Sequence, residues 1–145
     1  MEITSIVLKK ILTLEMAEDN TDLIPESDRD FLNEKGYIFK IIPQGGQVHL
    51  ILEQVPFSEL YAPRVADILI MIPVGYPNAQ LDMFWTFPEI RLVDGNLPQA
   101  TEHRQDFHGR TWQRWSRHPS VWRAGVDNLR TFISMIKKEI EKGNG

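Results

Sequence analysis

The sequence contains no cysteine among its 145 residues. That absence excludes disulfides, thiolate metal sites and any route through a thioester held on this chain. Long apolar runs are missing too. The longest, around residues 66–74, falls far short of the roughly 20 residues that cross a bilayer. The first twenty residues lack the order of a secretory leader. Their basic pair lies inside the apolar stretch, and no small-residue cleavage site follows. A cytoplasmic protein with no membrane association is expected. There is no excess of positive charge: 16 Lys and Arg stand against 20 Asp and Glu, a formal charge of −4, so nucleic acid is not an expected partner. Neither an HExxH pairing nor a GxGxxG or GxxxxGK[ST] loop occurs, and no metal or cofactor is expected. Repeats and low-complexity tracts are absent as well.

What is there is ordinary globular composition, 42% hydrophobic and 25% charged, at a length that suits one domain. Residues 1–22 are expected to be an N-terminal extension and residues 23–145 the domain. Residues 3–16 fit helix and strand patterns equally. Charge is segregated. Acids crowd residues 12–34, where Arg29 is the only base; residues 101–123 hold Arg104, Arg110, Arg114, Arg117 and Arg123 with His103, His108 and His118. Two solvated faces would explain this, and so would a basic, aromatic surface that meets an acidic partner or substrate.

The run Pro25-Glu-Ser-Asp-Arg-Asp-Phe-Leu predicts a short helix, with Ser27 as cap, acids in the first turn, Phe31 and Leu32 inward and Gly36 as stop. Strands are predicted at 37–42, 48–55 and 65–73. A fourth runs from 83–86 into 90–92, interrupted by Pro88. Gly45-Gly46 is a hairpin turn. His49 is expected to face solvent and His103 to sit in an exposed loop. Residues 93–123 show little periodicity, and irregular segments of that length are usually functional. The chain then predicts an amphipathic helix with Val126, Leu129, Phe132, Ile133, Ile136 and Ile140 on one face, ended by Gly143. The fold class is α+β: an antiparallel four-stranded meander with an N-terminal helix and a C-terminal amphipathic helix.

Ile70-Met71-Ile72-Pro73-Val74-Gly75-Tyr76-Pro77, followed by Met83-Phe84-Trp85-Thr86 and later by Trp122 with its following helix, resembles the ubiquitin-conjugating-enzyme (UBC-like) fold. The start at Ile24, GYPNAQLDMFW (75–85), GRTWQRWSRH (109–118) and WRAGVDNLRTF (122–132) resemble more closely the prokaryotic conjugating-enzyme-like family E. The resemblance covers about residues 24–140. It implies a bacterial ubiquitin-like conjugation pathway. The partners implied are a ubiquitin-activating-enzyme-like protein, a ubiquitin-like protein and a deconjugating peptidase of the same operon. In that mechanism a cysteine carries the acyl group. Here the cysteine is missing, and so is the His-Pro-Asn motif, near whose place stands Phe87-Pro88-Glu89.

A hydroxyl is the nucleophile left. The resemblance places the nucleophile in the irregular segment a few residues before the tryptophan, and there Thr111, Ser116 and Ser120 precede Trp122. Ser116 is the leading candidate, with His118 as the base that takes its proton and His108 as a second base. Arg114 or Arg117 would steady the oxyanion. In an extended segment Ser116 and His118 share a side. Arg110, Trp112, Arg114, Trp115 and Arg117 are the candidate binding residues. The competing reading makes Trp112, Trp115 and Trp122 a hydrophobic lid. Two functions follow: a transferase that carries the modifier as an oxyester, or an inactive docking module that binds the activating enzyme or the ubiquitin-like protein. Single-stranded nucleic-acid binding by the Arg/Trp segment is a third, weaker option.

Overall fold

The computed structural model describes residues 20–142. The expected extension lies almost wholly outside the described residues, as does the Gly143 stop. Helix α1 (Glu26–Glu34) begins after Pro25, whose fixed φ suits a helix start, and buries Phe31 and Leu32. Ser27 makes no capping bond there. The helix ends with Tyr37 N–H donating to Leu32 O.

The central feature is a six-stranded antiparallel sheet in the order β1-β2-β4-β5-β8-β7. Its strands are β1 (Ile38–Gln44), β2 (Gln47–Pro56), β4 (Val65–Ile72), β5 (Phe84–Phe87), β7 (Arg104–Phe107) and β8 (Arg110–Trp115). The first four, in sheet order, run as antiparallel neighbours with β4 between two of them, but the sheet has six strands where a four-stranded meander was expected. The other two correct the expectation of an irregular 93–123. Phe107 pairs with Arg110 across a two-residue turn in which His108 and Gly109 both have positive φ. That turn matches strand twist, as Gly45-Gly46 does between β1 and β2. A second correction concerns residues 90–92. They do not prolong β5: β6 (Arg91–Leu92) leaves the sheet and pairs with β3 (Tyr61–Ala62).

Both faces of the sheet are buried, which is why β4 reads as one apolar run. Leu50, Leu52, Ile68, Ile70, Phe84 and Trp115 share the main core with α1 and helix α2 (Leu129–Lys142). On the reverse face Ile51, Leu69, Trp85 and Trp112 form a smaller cluster. The β7–β8 turn reaches back over it to β2. Phe107 stands edge-on to His49 at 5.4 Å, and His49 Nδ1 is 2.9 Å from His108 Nε2. His49 is therefore 1% exposed rather than solvent-facing. On α2 the apolar face is as expected apart from Val126, which precedes the helix and is exposed. No helix among the described residues is long and apolar enough to cross a membrane.

Candidate functional site

Two loops meet at one end of the molecule. One joins β4 to β5 and carries Tyr76, Pro77 and Asp82. The other joins β8 to α2 and carries Arg117, His118, Ser120 and Trp122. Three hydrogen bonds stitch them. Met83 N–H donates to Arg117 O at 2.9 Å, Trp122 Nε1 donates to Pro77 O at 3.0 Å, and His118 Nδ1 lies 2.5 Å from Asp82 Oδ1. A carboxylate only accepts, so the proton sits on Nδ1 and a neutral His118 keeps Nε2 as its lone-pair nitrogen.

Tyr76 ties this end to both helices. Its hydroxyl donates to Asp28 Oδ2 at 2.6 Å and accepts from Leu129 N–H at 2.7 Å. The start of α2 is closed by a reciprocal pair: Asn128 Oδ1 accepts from Thr131 N–H, and Thr131 Oγ1 accepts from Asn128 N–H. Just before it, Asp127 accepts from Arg123 N–H, and the Arg123 guanidinium holds its carboxyl below the usual range. Between the second loop and α2 lies a cleft of about 310 Å³, lined by His118, Ser120, Trp122, Asp127, Thr131 and Met135 among others.

A family model described as Prokaryotic E2 family E matches residues 24–143. The chain belongs to that family. No curated protein and no solved structure matches it.

In this member of Prokaryotic E2 family E, the residues singled out in the sequence fall into three groups. His118 stands at the cleft, held by Asp82. Ser116 stands apart from it: its N–H donates to Ala100 O, and among the described residues no hydrogen bond joins its hydroxyl to His118. His108, the second base considered, is engaged with His49.

The candidate binding residues divide as well. Trp112 and Trp115 are each 0% exposed, so neither can meet a partner in the folded chain. They are core residues rather than surface ones, and they face opposite sides of the sheet. Trp115 stacks on Phe84 at 5.2 Å and donates to Thr86 Oγ1. The Trp112 indole donates to Phe107 O. Arg117 is largely committed: it pairs with Glu139 at 3.0 Å, donates to Gln99 O and lies over the Trp115 ring. Arg114 sits opposite Trp85 in the register, its Nε buried without a partner among the described residues. Arg110 stays exposed while donating to Asp67 and covering Phe87.

Asp82 and Tyr76 were not legible as members of a site. Asp82 lies 36 residues from His118, and no local spacing links them. Among the described residues no cluster of three metal-ligating groups occurs.

Proposed function

We propose that the protein is the conjugating-enzyme-like component of a bacterial ubiquitin-like conjugation pathway, partnered by an activating-enzyme-like protein and a ubiquitin-like protein. It carries the modifier as an oxyester on a serine between positions 116 and 120, Ser116 being the one the sequence favours. The observation that supports this chemistry is the Asp82–His118 hydrogen bond. A serine hydroxyl is a weak nucleophile until a fixed base takes its proton, and an imidazole held through Nδ1 offers Nε2 for that work. The hydroxyl oxygen attacks the activated C-terminal carbonyl, the proton passes to His118, and the adenylate or thiol leaves. An acceptor amine then displaces the serine.

Intact-mass analysis tests this after the chain is mixed with its activating enzyme, the processed ubiquitin-like protein and ATP. The expected product is an adduct that survives thiol reductant, is cleaved by hydroxylamine and is missing in His118→Ala. Normal charging of the activating enzyme with no adduct on this chain overturns the reading.

One observation favours the docking module as a second reading. Val74, Val121 and Val126 are 81%, 66% and 55% exposed on the two stitched loops and the approach to α2. Exposed apolar side chains of this kind are surface that a protein partner can cover. In that case Val121→Asp weakens association with the activating enzyme or the ubiquitin-like protein, and neither Ser116→Ala nor His118→Ala changes it.

A further inference from the structure

We propose that Ser120 is the acyl acceptor, with His118 as its base and Asp82 as the residue that positions His118. The proposal rests on the oxyester reading and names its site.

The cleft decides between the serines. His118 and Ser120 line the same 310 Å³ space, and Ser116 does not line it. The cleft holds one other hydroxyl, that of Thr131. It is occupied, donating to Asn128 O and accepting from Asn128 N–H at 3.0 Å each. The Ser120 hydroxyl has no partner among the described residues, and Ser120 is exposed. Trp122 supplies an apolar wall, and its indole N–H is spent on Pro77 O. The main-chain N–H groups of Val121 and Trp122, next along the chain, also have no partner among the described residues.

The charges around His118 do not compete with Asp82 for it. From the start of α2, Asp127 is taken by Arg123; from the same loop, Arg117 is taken by Glu139. In the step itself an ester bond forms between Ser120 Oγ and the acyl carbon. The bond from that carbon to its leaving group breaks, and the hydroxyl proton moves to His118 Nε2. The acyl donor the step needs is an activated carboxylate.

The test uses the full chain and the p-nitrophenyl ester of N-acetylglycine as probe. The expected result is a hydroxylamine-labile acetylglycyl ester on the peptide that contains Ser120. It is lost in Ser120→Ala and kept in Ser116→Ala. His118→Gln slows nitrophenolate release by roughly 100-fold. Asp82→Asn slows it at least about tenfold and shifts the pH profile of release, an effect that a purely structural Asp82 would not have. Each variant's thermal midpoint is measured alongside. An ester on Ser116, or labelling that Ser120→Ala leaves unchanged, overturns the proposal. A second arm uses the activating enzyme and the ubiquitin-like protein. Transfer to Ser116 there defeats this proposal and leaves the pathway reading standing. Probe acylation of Ser120 with no transfer from the activating enzyme does the reverse.

Discussion

The Tyr76 phenol donates to the Asp28 carboxylate across 2.6 Å, although 48 residues separate them. The same oxygen accepts from Leu129 N–H, so one hydroxyl joins α1, the β4–β5 loop and the start of α2.

Tyr76→Phe leaves a buried carboxylate and a helix N–H without their partner. The expected loss is about 2–3 kcal/mol of unfolding free energy, read by urea denaturation at pH 7. Burial raises the Asp28 carboxyl above its ordinary range, outweighing the Tyr76 bond. The folded chain therefore holds that proton more tightly than the unfolded chain. Asp28 subtracts from stability once pH climbs past the usual carboxylate range. Asp28→Asn keeps an acceptor for Tyr76 and removes the charge, so it is expected to be neutral or stabilising at pH 7. A large loss in that variant would contradict the assignment.

Acid is expected to loosen the reverse face of the sheet. Burial, and then the charge of His108, lower the His49 imidazole to about 4. The unfolded chain binds a proton near pH 6.5 and the folded chain does not. Stability is complete above that pH and falls as pH drops from about 6.5 toward 4, by up to about 3 kcal/mol. Denaturation of wild type and His49→Asn at pH 7.5 and 5 checks this. The difference in stability between the two pH values should shrink in the variant.

Gln113 fixes the backbone of the β5–β6 connection. Its Oε1 accepts from Thr86 Oγ1 at 2.9 Å and from Ile90 N–H at 2.7 Å, while Nε2 donates to Ile90 O at 2.9 Å. All of this is buried. Gln113→Leu strands both Ile90 groups, and the expected cost is roughly 2–4 kcal/mol. Hydrogen exchange at the Ile90 amide should accelerate first. Unchanged protection there would show that the connection is held by something else.

Arg117→Ala separates a partner-binding arginine from a structural one. Its pairing with Glu139 and its place over Trp115 are partly buried, so the expected cost is about 1–3 kcal/mol of stability. Arg110→Ala touches an exposed arginine and should cost under about 1 kcal/mol. Equal thermal midpoints for the two variants would contradict this ranking.

Local chemistry made much of this fold legible in the sequence. The face of α2, the Gly45-Gly46 hairpin and the buried β4 run follow from periodicities of 3.6 and 2 or from turn residues. The β7–β8 hairpin did not show itself. Trp112 and Trp115 are buried on opposite faces, so β8 has no alternation to detect, and β7 is largely polar. The His108-Gly109 turn was the available signal, with glycine at its second position and histidine where asparagine is usual. At the candidate site, His118 was legible because a histidine near a serine carries its own chemistry. Asp82 was not, because only the docking of two distant loops brings it near.

The sheet order has a consequence for the chain as it leaves the ribosome. β1, β2, β4 and β5 can pair in turn as they emerge, each beside its predecessor. The outer edge of β5, and the reverse-face cluster that needs Trp112, wait for β8, which is made more than twenty residues later. During that interval Phe84 and Trp85 lie on an open strand edge. Nascent chains halted between β5 and β8 should be the ones that recruit chaperones or aggregate.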